Sequence, residues 1–218
     1  MSGDVERARS QFFGGRVCLD FANTLDWRTS PQPVELIPDY RALLDWSHRR
    51  GTLPRLALGR LAKRHGHTRG GSAAMSKAIA LRAEIWAICD ALVSSAQPDL
   101  TRFNSLLAMA PPQPRIVQGR AGLLHELKGH DPVEPLCPIL WSMSAMLTSI
   151  DAQRMGVCEA GGCGWFFVDE SPNQSRRWCS SEICGNRERV RRSYAKRNET
   201  APLGQPRHIS NAQPRRDG

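Results

Sequence analysis

Cys158, Cys163, Cys179 and Cys184 are the residues of this chain best suited to do chemistry. They fall as two pairs, each with four residues between its members, and fifteen residues separate the pairs. Two thiol pairs joined by a hairpin-length insert suit a tetrahedral Zn²⁺. Each pair supplies one claw, and the insert must fold back to bring the claws together. Redox disulfides or unrelated thiols would need a coincidence of spacing. No histidine stands near to leave a ligand position exchangeable, so one structural zinc is expected, not a catalytic one. Cys18, Cys89 and Cys137 lie singly among apolar residues and read as small buried hydrophobes.

A second chemistry follows the second pair, where Cys184-Gly-Asn-Arg opens a stretch dense in arginine. Eight basic residues (Arg176, Arg177, Arg187, Arg189, Arg191, Arg192, Lys196 and Arg197) face two acidic ones, Glu182 and Glu188, within residues 176–197. That segment carries much of the chain's formal charge of +9. A basic excess favours anionic partners without choosing among DNA, RNA and anionic lipid, and a zinc with four thiolates would offset part of it. Arginines divided between a hairpin and a helix can straddle a phosphate backbone or enter a major groove, so the eight are nucleic-acid-binding candidates, with duplex DNA the expected partner. The plainer alternatives are a solvated charged face, or an RNA-binding or protein-interaction module in which zinc only fixes shape.

Nearer the N-terminus, apolar residues of segment 16–27 recur at helical spacing, and Asp20, Asn23, Thr24 and Trp27 share the opposite side. Joined by Arg28 and Trp46, they can line a small-molecule pocket. Equally, Asp20 and Asn23 can cap helices or satisfy buried backbone groups. No nucleophile–base pair, phosphate-cradling loop or metal-ligand pair precedes residue 158, so an enzyme is not expected.

The elements that must position these residues are mostly helices. Periodicity and caps predict helices over 16–27, from an Asp39 cap to about Gly51, from Pro54, over 75–93, over 99–109 and over about 138–150. The Gly/Ser-rich patch at 69–72 reads as a loop, and Pro111, Pro112 and Pro114 break the pattern. Residues 115–127 suit a β-hairpin turning at 119–122. In the metal module, residues 164–169 suit a strand and 175–178 its returning partner. Ser180 or Ser181 then caps a helix on which Val190 and Tyr194 pack inward. Hairpin then helix, with one ligand pair before the hairpin and one at the helix start, is the layout of a treble-clef finger. The expected fold is mainly α with a small β-hairpin: a helical N-terminal sensor or dimerisation domain over 12–152, a zinc finger over 154–198, and a disordered basic tail over 199–218. The first residues, MSGDVERARSQFF, do not read as a signal peptide, and no apolar run approaches the ~20 residues of a membrane span. A cytoplasmic protein without membrane contact is expected, and dimerisation through the helical domain would reinforce one small finger.

The string Cys-x₄-Cys-Gly-Trp-Phe-Phe-Val-Asp, then Ser-Arg-Arg-Trp-Cys-x₄-Cys-Gly-Asn-Arg, resembles the bacterial CGNR zinc-finger family across about 158–197. Residues 15–24, Gly-Arg-Val-Cys-Leu-Asp-Phe-Ala-Asn-Thr, followed by Leu44-Asp-Trp46, look like the ABATE domain that usually precedes this finger. The resemblance implies a stress-induced transcription regulator, a sensor-like domain with a DNA-binding finger behind it.

Overall fold

The computed structural model describes residues 12–110, 115–119 and 122–199. The first eleven residues, the prolines at 111, 112 and 114, and the tail from 200 onward lie outside the described residues.

Helix α1 (Val17–Ala22) is the hub, with five of its six residues buried. It packs against the longest helix and the last helix of the N-terminal region, and also against a strand of the metal module. It is shorter than its periodicity predicts. The chain leaves the helix at Asn23, and a two-residue strand β1 (Leu25–Asp26) pairs antiparallel with β2 (Val34–Glu35). Trp27 therefore lies beyond the helix, with φ at 55°.

Helix α2 (Tyr40–Arg49) starts where expected, because the Asp39 carboxylate accepts the Ala42 N–H at 2.8 Å. Helix α3 (Arg55–His65) follows Pro54. Helix α4 (Arg69–Val93) begins inside the patch read as a loop. The glycines serve packing there: a Cβ on Gly71 would lie 2.1 Å from the His65 carbonyl oxygen. Close approach of α3 outweighs the weak helix propensity of glycine, and the Thr68 hydroxyl caps the start. Along α4 the buried residues Ala74, Ala78, Leu81, Ile85 and Ile88 recur every three or four positions.

Helix α5 (Thr101–Leu107), the antiparallel hairpin β3 (Ile116–Gly119) and β4 (Gly122–His125), and helix α6 (Cys137–Leu147) complete the helical region. A 3₁₀ segment, Ile150–Arg154, leads into strand β5 (Met155–Val157), which pairs antiparallel with β6 (Phe166–Val168). A π-type turn, Ser181–Gly185, then opens helix α7 (Asn186–Glu199). The fold is thus mainly α with small hairpins, as the sequence predicts.

The finger's hairpin has a different partner from the predicted one. Strand β6 pairs upstream with β5, not downstream with residues 175–178, and the first cysteine pair sits at the hairpin's tip. The reason is burial. β6 is covered on both faces: Phe166 and Val168 enter the helical core, and Phe167 turns to a second, smaller core around the cysteines. Residues 175–178 are too polar for that place and join through other bonds: the Glu159 N–H donates to the Arg177 carbonyl, and the Arg176 N–H donates to the Asp169 carboxylate.

Candidate metal centre and nucleic-acid surface

The first claw is shaped by glycine. Gly162 and Gly164 have φ of 81° and 67°, the left-handed region that side chains rarely adopt, and they flank Cys163. A Cβ at either would collide with the N-terminal region: 2.9 Å from the Trp27 ring and 2.5 Å from Thr29 Cγ2. The second claw is shaped by Ser180, whose hydroxyl accepts the Ile183 N–H at 3.2 Å and starts the turn holding Cys184. Gly185 leaves room for the Trp178 indole.

All four Sγ atoms lie within 4.8 Å of one another, and all four cysteines are buried. The Cys163–Cys179, Cys179–Cys184 and Cys184–Cys163 sulfur separations are 3.8, 3.5 and 3.7 Å. A tetrahedron with Zn–S bonds of about 2.3 Å has S···S edges of about 3.8 Å, so the residues fit the ion. As bare thiols they conflict. Cys158 is held below the ordinary thiol value because Cys163, Cys179 and Cys184 donate to it. Cys163 and Cys179 are driven up, chiefly by their contact with Cys158. A central dication removes the conflict, since all four then bind as thiolates. This is one structural zinc site. The remaining three cysteines are buried, and burial pushes Cys18 up to about 12 and Cys137 up to about 11. They are buried core residues, as expected.

The arginines divide sharply. Arg176 turns inward: its guanidinium donates to the carbonyls of Phe13, Val168, Trp178 and Cys179 and lies 4.3 Å over the Phe167 ring. Its donors are taken up stitching the finger together, which corrects its reading as a nucleic-acid contact. Arg187 also turns toward the protein, 4.2 Å over the Trp27 ring, with donors toward the Gly161 carbonyl and Cys184 Sγ. Arg177 stays at the surface, paired with Glu159. From Arg189 to Arg197 every side chain of α7 is exposed. Within that stretch Arg191 pairs with Glu188 at 3.0 Å while remaining 70% exposed. Val190 and Tyr194, expected to pack inward, are 46% and 59% exposed. The helix is fastened through its first turns, where the buried Glu188 carboxylate accepts the Gly161 N–H.

Part of the polar face predicted near residue 20 is a seam against the finger. Asn23 exchanges two hydrogen bonds of 2.9 Å with the backbone of Phe166. Asp20 accepts the Gly14 N–H and the Arg50 guanidinium, while burial pushes its carboxyl up. Thr24 accepts from Arg82. Arg28 donates to the Gly164 carbonyl and grips Asp90 with two bonds of 3.0 Å. Trp46 is buried edge-on to Phe21. Asn23 and Arg28 dock the two regions, while Asp20, Thr24 and Trp46 make their contacts within the N-terminal region. Sequence reading missed a different concavity, a cleft of about 360 Å³ bordered by Met109, Leu127, Lys128, Glu134, Cys137 and Trp141. Its walls come from the stretch 109–141, where no motif or periodicity marks it.

Residues 15–150 match the family described as "Putative stress-induced transcription regulator", known as ABATE. The chain belongs to the ABATE family. Residues 154–197 match the CGNR zinc finger, so the four-cysteine site is the CGNR metal centre and the helical region the ABATE domain. Neither is an enzyme family. No curated protein sequence matches the chain. None of the helices among the described residues is long and apolar enough to cross a membrane.

Proposed function

We propose that this protein is a DNA-binding transcription regulator in which α7 is the reading element. The observation that carries the proposal is the exposure of α7 over residues 189–197 while its first turns are pinned to the zinc site. Nine helical residues rise about 13 Å, enough to lie in a major groove. Arg189, Arg191, Arg192, Lys196 and Arg197 supply the contacts there, and surface Arg177 reaches an adjacent phosphate. Arg176 and Arg187 support the finger from within. ABATE and CGNR membership supports a regulator, and the stress response is taken from the family description alone.

Salt-titrated fluorescence anisotropy of the zinc-loaded protein on genomic duplex fragments tests this. Binding that falls steeply with salt is expected, and absence of binding would overturn it. One observation favours a second reading, a protein-interaction module: Val190 and Tyr194 form an exposed apolar pair one turn apart on the same helix. On that reading a Tyr194→Ala variant loses a protein partner and leaves nucleic-acid affinity unchanged.

The effector expected of the ABATE domain belongs in the cleft beside Trp141, since the α1 face is packed against the finger. A thermal-shift screen with Trp141→Ala as control tests that assignment. Sedimentation at micromolar concentration tests the expected dimer.

A further inference from the structure

The zinc centre has an outer layer that the finger does not complete by itself. The metal with four thiolates carries a net charge of −2, and a buried charge of that kind needs partners. Arg187 brings a guanidinium whose Nη2 is 3.7 Å from Cys184 Sγ, within reach of an N–H···S contact. Its plane is held from the far side by Trp27, 4.2 Å away and part of the ABATE domain. Trp27 is itself held in an unusual state. Its φ of 55° is the left-handed region, which a bulky residue keeps only where its surroundings enforce it. The surroundings are the finger: the Trp27 ring fills the space beside Gly162, Thr29 fills the space beside Gly164, and Arg28 donates to the Gly164 carbonyl.

We propose that the zinc site is a joint structure of both regions, with Arg187 as the charge partner of the tetrathiolate and Trp27 as the clamp that positions it. Metal affinity and the docking of residues 27–29 are then one linked equilibrium. Arg187 is a positioning residue for the metal and not a reader of DNA. Because α7 begins at Asn186, beside this contact, whatever moves the Trp27 segment also re-aims the basic helix.

The test uses the full chain and needs no DNA, so it stands or falls separately from the DNA-binding reading. Zinc affinity is measured by competition with a chelating dye for Arg187→Ala, Arg187→Lys, Trp27→Leu, the double variant R187A/W27L, and Lys63→Ala, exposed on α3, as a control. Loss of an outer-layer partner weakens metal binding about tenfold to a hundredfold, and that loss is expected for R187A and W27L. R187K, which keeps the charge and loses the planar stack, is expected between R187A and the parent. The double variant should be no weaker than the worse single one, because the two residues act as a unit. K63A should be unchanged. The reciprocal readout is hydrogen exchange at residues 27–29: zinc should slow it in the parent and slow it less in R187A. The thiolate-to-metal absorption band of the Co²⁺-loaded proteins reports whether the tetrathiolate survives in each variant. If W27L fails to fold, R187A and the exchange readout decide. Zinc affinity of R187A within twofold of the parent, or exchange at residues 27–29 indifferent to zinc, overturns the proposal.

Discussion

The helical region and the finger hold themselves together by different means. The former has a broad core in which Leu19, Phe21, Leu43, Leu61, Leu81, Ile85 and Ile139 are almost wholly buried, drawn from every helix but α5. The latter has a core of seven small or aromatic residues, four of them metal ligands. A region with many apolar contacts survives the loss of one; a region with few depends on its ion. The difference teaches where each can be broken, and the seam between them, through Phe166 and Asn23, decides how far damage travels.

Removing the metal should give the largest effect. Structural zinc contributes on the order of 10–16 kcal/mol in small finger peptides. Chelation, or Cys179→Ser, is therefore expected to abolish hydrogen-exchange protection in the knuckles and in α7 while helices α1 to α6 keep theirs. Simultaneous loss in both regions would show that the helical core cannot stand without the finger.

Next comes the seam. Phe166→Ala removes a fully buried ring from the helical core and should cost about 3–5 kcal/mol. Urea unfolding should detect it as lowered stability of the helical region, although the residue belongs to the finger. Asn23→Ala leaves both backbone groups of Phe166 without their side-chain partner; each lost buried bond is expected to cost about 1–3 kcal/mol. A destabilisation confined to the finger in either variant would sharpen the boundary between the regions.

The arginines separate more finely. Arg176→Ala should lower the finger's unfolding midpoint and leave the salt dependence of DNA binding alone, because its donors serve four carbonyls. Arg192→Ala should do the reverse and reduce the slope of log affinity against log salt by about 1. The smallest effect is chemical. Cys18 and Cys137 should resist alkylation in the folded protein, their thiols being buried and pushed up to about 12 and about 11. Only chelation should expose fast-reacting cysteines, those of the metal site.

Much of this was legible in the residues. Ligand spacing predicted the zinc site, because four thiolates must meet at one tetrahedral centre and only certain loop lengths allow it. Asp39, Pro54 and Ser180 marked helix starts through local hydrogen bonds or a fixed φ, which need no tertiary partner. Three features were decided elsewhere. Helix α4 starts within a glycine patch because α3 presses against Gly71. Strand β6 pairs with β5 because the helical core claims Phe166 and Val168. The arginines divide into inward and outward sets because the Phe167 and Trp27 rings, brought by folding, take Arg176 and Arg187. Local chemistry acts between neighbours along the chain, so the sequence by itself determined the metal, the caps and the sign of the charge. Which cation faces solvent, and which polar face becomes a seam, depends on surfaces that meet only after the chain has folded, and only the tertiary structure decided them.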